Sequence, residues 1–457
     1  MQEFKLSLRM PNGDQTGLIY RPHSSELLWA DTGDRVSIAH VGIDYDLKPD
    51  KKWPIAKAVS PQTPVGKSRT IRALKIQMGL KCNARCGYCN QTSRPLDSHG
   101  NFQDAKAFLD SLSAWLEPAG TDGLGDGLRI EFWGGEPFVY WKTMKYLAEA
   151  LHERYPKAAL NVVTNGTVLD DEKIAWLDKY NFSVAVSHDG PGHKENRGID
   201  PFDALLAAEN LRKLYARLRP KGLISFNCVL AKNNLSLTAI REHIAALIGC
   251  PPNELPLSTE EIVLPYEEAG HSLSLHSDAN HAALLHTLFR DVAHGGALQV
   301  LNVKDKLEDF FRSIAHGRPV ETLGLRCGMD REDTLAVDLK GNALTCQNTA
   351  ASAGHKIGTV GEYANIRLDT AWHWSKREEC PNCPVLQLCK GCCLRLEGEL
   401  WRKACDNSFT YNLALLAAGL HLLTGGMLTE IEGKVMRRPE LPSIAPVVDL
   451  AWVGWPA

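Results

Sequence analysis

At 457 residues the chain is longer than one hydrophobic core usually serves, so a large domain joined to a smaller one is expected. A hydrophobic content of 44% with 23% charged residues is that of an ordinary globular protein and excludes a disordered or fibrous one. A net charge of -3 with no basic stripe excludes a nucleic-acid binder, because neutralising phosphates needs a basic excess.

The start, MQEFKLSLRMPNGD, lacks the basic and apolar sections of a secretory signal, so a cytoplasmic location is expected. Segments Phe4 to Leu8 and Gly17 to Tyr20 read as strands within a β-rich segment over 1–70. That segment is either a cap over one end of the following domain or a layer that captures a peptide by edge pairing.

From Ala73 onward, β-branched or apolar runs alternate with amphipathic stretches. The expected strands are Ala73 to Leu80, Leu128 to Trp133, Leu160 to Thr164, Phe182 to Ser187, Leu223 to Leu230 and Glu261 to Pro265. The expected helices between them are Phe102 to Leu116, Lys142 to Tyr155, Asp171 to Tyr180, Pro201 to Leu218 and Leu235 to Ile248. This is an α/β pattern, and it predicts a partial (β/α)6 barrel over 71–300 with ligands at the carboxyl ends of the strands. The run Gly123 to Gly127 precedes a strand instead of joining strand to helix, so it reads as a connector and not a nucleotide loop.

A helical connector over 301–326, with its helix at Val303 to Ile314, leads to a cysteine-dense region over 327–425. There a hairpin is expected at Thr334 to Thr345, turning at Gly341 and Asn342. The apolar run Leu413 to Leu423 contains His421 and stops at Gly425 and Gly426, short of the ~20 residues of a membrane span, so it reads as a buried helix with a glycine cap. A tail over 426–457 carries Trp452 and Trp455.

Thirteen cysteines in a chain without an export signal point to metal or redox work. Three lie at 82–89 and eight between Cys327 and Cys405, which leaves Cys228 and Cys250 as small core residues. Cys82, Cys86 and Cys89 form a CxxxCxxC loop directly after the first barrel strand. Three thiolates hold three irons of a cubane and leave the fourth able to bind a group that is not protein. A zinc knuckle is the alternative, but it needs a regularly spaced fourth ligand, and His99 is ten residues past Cys89.

This loop, with Tyr88 before its third cysteine, resembles the radical S-adenosylmethionine (radical SAM) superfamily. The resemblance implies that SAM chelates the open iron. Gly134, Gly135, Glu136 and Pro137, after the second strand, match that family's motif for the SAM amino group. Other expected cofactor contacts at strand ends are Thr164, Ser187, Asn227 and Leu264, with Asn165, His188, Asp189 and Pro265 beside them. Arg197 is either a further SAM contact or a surface loop charge.

Cys380, Cys383, Cys389 and Cys393 give CxxCxxxxxCxxxC, preceded by Gly341 and Cys346 as GxxxxC. Five residues between CxxC pairs are too few for a zinc ribbon. The pattern resembles the SPASM domain, which implies two auxiliary clusters and three [4Fe-4S] clusters in all. By that resemblance the distal cluster takes Cys380, Cys383, Cys389 and Cys405, and the proximal one Cys327, Cys346 and Cys393. Glu321 stands where related chains have a further cysteine, so either Cys392 completes the proximal set or one iron there is open.

The resemblance implies a maturase that cross-links side chains of a ribosomal peptide, carbon–carbon or thioether, with flavodoxin or ferredoxin as electron donor. The alternative is oxidation of Ser or Cys to formylglycine in a sulfatase, whose aspartate after the GxxxxC cysteine is replaced here by Gln347. An electron carrier is the non-enzyme alternative. Asp189, Glu267 and Glu268 are the candidates for a base, and most of the sixteen histidines, including His271, His276, His281 and His286, read as surface or packing residues. Neither a nucleic-acid nor a membrane partner is expected.

Overall fold

A nine-stranded sheet forms the spine of the computed structural model, which describes residues 2–38, 53–91, 100–118 and 127–433. The chain opens with β1 (Phe4–Arg9), β2 (Gln15–Arg21) and β3 (Glu26–Trp29). The β/α units follow as β4 (Ala73–Gln77), α1 (Phe102–Trp115), β5 (Arg129–Trp133), α2 (Trp141–Arg154), β6 (Ala159–Thr164) and α3 (Asp171–Lys179). They continue with β7 (Ser183–Ser187), α4 (His193–Arg197), α5 (Leu205–Leu218), β8 (Ile224–Leu230), α6 (Leu237–Ile248) and β9 (Leu257–Ile262). Strands β4 to β9 lie side by side in chain order and all pair in parallel, as expected of a (β/α)6 wall.

Local chemistry explains these elements. In β8 every second residue is buried, namely Ile224, Phe226, Cys228 and Leu230, which is the two-residue period of a pleated strand. In α6 the buried Leu237, Ile240, Ile244 and Ile248 recur at helical spacing, Ser236 caps the first turn and Gly249 closes the last in the left-handed conformation. Helix α1 starts with a capping box between Asn101 and Asp104.

The sixth strand corrects the sequence reading. It runs over Leu257–Ile262 and not Glu261 to Pro265, and its inward residues include the polar Thr259 and Glu261. Glu261 is buried at φ 72°, and its carboxylate pairs with Lys306 and with Arg326. A buried ion network replaces the apolar alternation that periodicity detects.

Helices α7 (Asp278–Ala293) and α8 (Leu301–His316) lead to β10 (Thr334–Asp338), β11 (Asn342–Leu344) and β12 (Lys356–Thr359). The hairpin does not stand apart: β10 pairs in parallel with β4 from Thr334 opposite Ala73 to Asp338 opposite Gln77. The order is therefore β9-β8-β7-β6-β5-β4-β10-β11-β12, one sheet through both cysteine regions. The short α9 (Leu386–Cys389) and the 27-residue α10 (Gly398–Thr424) complete the cysteine-dense region. Leu413 to Leu420 is buried and Gly425 caps α10; among the described residues no helix is long and apolar enough to cross a membrane.

The start of the expected tail forms β13 (Met427–Glu432), which pairs with β1 to give a sheet of order β13-β1-β2-β3. β1 is therefore paired on both sides, and the outer side of β3 is partly covered where Trp29 N–H donates to Asp34 and Val36 N–H to Leu27. This sheet contacts the cysteine-dense region and the connector before it. Gln387 Nε2 donates to Pro22 O at 2.6 Å, His23 Nε2 lies 2.7 Å from Pro381 O, and Ser25 Oγ donates to Arg318 O at 2.8 Å. Gly123 to Asp126, His99, Trp452 and Trp455 lie outside the described residues.

Because β10 covers the side of β4, a chain ending at Arg326 exposes the β4 edge in mid-sheet. Such a truncation is expected to aggregate in size-exclusion chromatography. Its recovery as a stable monomer would show that the wall stands without the C-terminal region.

Candidate functional site

The loop after β4 is held by backbone contacts. Gly135 N–H donates to Gly79 O at 2.9 Å and Glu136 N–H to Lys81 O at 3.0 Å, so the turn after β5 lies directly on the residues leading into Cys82. A Cβ on Gly134 would sit 2.3 Å from Gly79 O, and one on Gly135 2.4 Å from Lys81 O. Both positions require glycine for this backbone approach. Glu136 is buried; its Oε1 accepts from Thr164 Oγ1 (2.9 Å) and Phe138 N–H (3.1 Å), and its Oε2 from Asn165 N–H (2.8 Å). Burial pushes its carboxyl up to about 7 against these hydrogen bonds. Pro137 opens the following short turn, which Glu136 caps.

The far side of the cysteine loop rests on α4, where Gly87 N–H donates to Asn196 O at 2.8 Å. Tyr88 Oη donates to Asp189 Oδ2 at 2.7 Å, and Arg197 grips the same carboxylate through Nε and Nη2, each at 2.9 Å. Val229 N–H adds a further bond to Asp189 Oδ1 at 2.9 Å. Burial would raise the Asp189 carboxyl, but Arg197 outweighs it and holds the group below the ordinary carboxylate range. Arg197 is thus a buried ion-pair member and not a surface loop charge.

A cavity of about 250 Å3 opens at the strand ends. Cys82, Cys86, Cys89, Tyr88, Gly134, Gly135, Glu136, Thr164, Ser187, Arg197, Asn227 and Leu264 all line it; Pro137 lies behind the wall. Trp133, Gln91, Tyr266, Arg326 and Asn348 also line it, and the sequence reading did not find them. Arg326 and Asn348 adjoin or nearly adjoin Cys327 and Cys346, so proximity to those cysteines was the available signal. Burial pushes the Cys86 thiol up to about 12, while Arg197 pulls it back.

Three candidates for a base are placed elsewhere. Asp189 is outside the lining with its lone pairs engaged, Glu267 pairs with Arg395 at 2.8 Å, and Glu268 is exposed. His188, His193 and Asp200 bring ligand atoms within 4.8 Å of one another. However, Nδ1 of His188 accepts from Gly190 N–H (3.0 Å) and Nδ1 of His193 from Asp189 N–H (3.1 Å), which puts each ring proton on Nε2 and leaves no lone pair for a cation. Burial, then His188, holds His193 neutral, with its pKa down to about 3.

The second cysteine group divides in two. Cys380, Cys383, Cys389 and Cys405 line a small apolar cavity, and Cys392 lines it with them instead of standing apart with Cys327, Cys346 and Cys393. Cys392 has φ 56°, and its Sγ accepts from Ser408 Oγ at 3.3 Å. Arg377 Nε, close to Cys380 and Cys392, and Arg395 Nη2, close to Cys393, are buried without hydrogen-bond partners among the described residues. Orphaned cationic N–H groups beside cysteine sulfurs fit iron–sulfur groups, whose sulfurs accept hydrogen bonds.

Residues 76–226 match the model of the Radical SAM superfamily. The chain is 26% identical over 176 residues to the radical SAM cyclopropyl synthase TigE of Paramaledivibacter caminithermalis, covering 36% of each chain. It is 27% identical over 168 residues to the cysteine-type anaerobic sulfatase-maturating enzyme of Clostridium perfringens, covering 33% of this chain and 42% of that one. The matches thus span about two fifths or less of these relatives' lengths. The fold resembles native anSMEcpe with bound AdoMet and Cp18Cys peptide, with TM-score 0.54 at 19% identity, over 77% of this chain and 99% of that one.

Gly135→Ala is expected to displace the cysteine loop and lower iron retained after anaerobic reconstitution, whereas Gly127→Ala, whose Cβ meets nothing nearer than 3.8 Å, retains it. Equal iron in both variants counts against the backbone contact. Glu136 gives a pH signature in the metal-free protein. Its pKa rises on folding from 4.5 to about 7, so its contribution is fully present below about pH 4.5 and is lost as pH rises through about 7. Glu136→Gln should flatten that fall in thermal midpoint, and an unchanged profile would assign the fall to other groups.

Proposed function

We propose that this chain, whose residues 76–226 match the radical SAM family model, is a peptide maturase that installs a carbon–carbon or thioether cross-link in a ribosomally made peptide. The observation that carries this reading is one cavity bounded by the first cysteine loop and Gly134 to Glu136 on one side and by Arg326 and Asn348, next to the second cysteine group, on the other. Substrate held there adjoins both cysteine regions.

In this reading Cys82, Cys86 and Cys89 hold a [4Fe-4S] group with one open iron, and the two C-terminal sets hold auxiliary ones. When bound, that first group and SAM supply a 5'-deoxyadenosyl radical that removes hydrogen from an unactivated carbon. The chain's own work is placement. Glu136 Oε2, with only the Asn165 N–H bond on it, retains a lone pair for the SAM ammonium, whose charge would draw the carboxyl back to its ionised form. Arg197, fixed by Asp189, presents its guanidinium to a carboxylate or ribose oxygen. Ser187 and Asn227 offer further hydrogen bonds, and Trp133, Ile262, Val263 and Leu264 exclude water from the reacting carbon.

The names of similar proteins support peptide or protein chemistry: anSMEcpe was solved with a peptide, and the TigE and Clostridium perfringens relatives are named for cyclopropyl synthesis and sulfatase maturation. Against the sulfatase alternative stands the loop after Cys346, where Gln347 donates no base and its neighbour Asn348 faces the cavity. Flavodoxin or ferredoxin in a reducing cytoplasm suits thirteen free cysteines.

Anaerobic incubation with SAM and dithionite is expected to yield 5'-deoxyadenosine by mass spectrometry, and Arg197→Ala to lower the yield at least tenfold, about 1.4 kcal/mol of barrier. With a peptide encoded beside the gene, the product should lack one hydrogen molecule per cross-link. No deoxyadenosine sinks the catalytic reading, and formylglycine in a sulfatase peptide replaces the cross-link by the alternative.

A further inference from the structure

Two residues past Cys393, Arg395 carries its charge into the interior, with 2% of its side chain exposed. Nη1 donates to Glu267 Oε1 at 2.8 Å and lies 3.4 Å from His355 Nε2. Its guanidinium carbon stands 4.8 Å from the ring centroid of Tyr266, which lines the reaction cavity. Nη2 is buried and has no hydrogen-bond partner among the described residues. A fixed cationic N–H left unpaired at such depth signals an acceptor that the protein itself does not supply. Cys393 and Cys346 are the sulfur ligands in whose field it stands.

We infer that Arg395 is a positioning residue that donates its unused Nη2–H to a sulfur of the iron–sulfur group held by Cys327, Cys346 and Cys393 and raises that group's reduction potential. The inference rests on the reading of those three cysteines as ligands of an auxiliary group. A hydrogen bond to sulfur and a nearby positive charge both favour the reduced, more negative state. Glu267 opposes this charge only in part, because its side chain is 51% exposed and solvent screens it. Glu267 is therefore the brace of Arg395 and no base. Tyr266 stacks between the guanidinium and the cavity, so the group that Arg395 tunes is the one behind the cavity wall.

The test uses the full chain carrying Cys82→Ala, Cys86→Ala and Cys89→Ala, reconstituted anaerobically so that only the C-terminal sites hold iron. Redox titration followed by electron paramagnetic resonance then reads the auxiliary signals, and the proximal one is that lost on Cys346→Ala. Arg395→Gln should lower its reduced-to-oxidised ratio at fixed potential at least tenfold, about 59 mV for a one-electron couple. Arg395→Lys, which keeps the charge, should lower it less, and Glu267→Gln should move it the opposite way. A fold merely loosened would shift both positions in the same direction. An unmoved midpoint in Arg395→Gln with full iron overturns the inference and leaves the ligand assignment standing. If that variant fails to hold iron, Glu267→Gln decides alone: a raised midpoint supports the inference and an unchanged or lowered one overturns it. A spectrum unaltered by Cys346→Ala overturns the ligand assignment itself.

Discussion

The carboxylate of Asp189, fully buried, joins three parts of the chain that are far apart in sequence. It takes Tyr88 from the cysteine loop, Arg197 from α4 and the backbone of Val229 from β8, while its own carbonyl oxygen accepts from Asn234 Nδ2. Taking two charges out of water costs several kcal/mol per ion, so such a pair is poor evidence of stability. Its value is geometric: removing either partner leaves the other charge stranded, a loss of about 3 to 5 kcal/mol, which leaves one low-energy arrangement. With its guanidinium carbon 5.4 Å from the Tyr88 ring centroid and both charged contacts to Asp189 made, Arg197 is held at the cavity wall. The same engagement occupies both carboxylate oxygens of Asp189, each with two hydrogen bonds.

The separation between the two cysteine regions is set by the sheet and not by a linker. β10 lies against β4 in register, and Gln77, at the end of β4, donates through Nε2 to Gln347 O at 2.8 Å and to Thr349 O at 2.7 Å. The loop after Cys346 is thereby fixed to the strand that carries the loop before Cys82. Asn348 consequently reaches the cavity although more than 250 residues separate it from Cys89 in sequence. A change in cysteine density along the chain marks a boundary in composition, and the hydrogen bonds cross it without a break.

The elements legible in the sequence were those specified locally. Five of six wall strands and their helices followed from period and caps, and the cysteine loop with Gly134 to Pro137 followed from spacing. The sixth strand was misplaced because its interior position at Glu261 is charged, which periodicity reads as outside. Helix α4 is only five residues long, too short for a periodic signal. Pairing of β13 with β1 joins positions more than 400 residues apart, and no local pattern names a strand's partner. Gly134 and Gly135 were legible as parts of a motif; their contacts show that they make room for the backbone at 79–81. Cys392 shares a spacing with both sets, and its left-handed backbone, invisible to spacing, turns it toward the distal one.

Buried thiols and buried cations meet in the cysteine-dense region. Burial pushes the thiols of Cys380 and Cys392 up, the latter to about 12, and neighbouring cysteines push in the same direction. Without metal these groups stay protonated and pack as small apolar residues. Around them lie four buried or nearly buried cations, Lys306, Arg326, Arg377 and Arg395. Glu261 pairs with Lys306 and Arg326 and the exposed Glu267 pairs with Arg395, while among the described residues no carboxylate forms an ion pair with Arg377. Arg377 and Arg395 thus carry buried guanidinium N–H groups that no carboxylate fully serves, at a cost in desolvation. Iron–sulfur groups on the thiolates beside these guanidinium groups would supply both acceptors and negative charge, and folding of this region would then be coupled to metal loading.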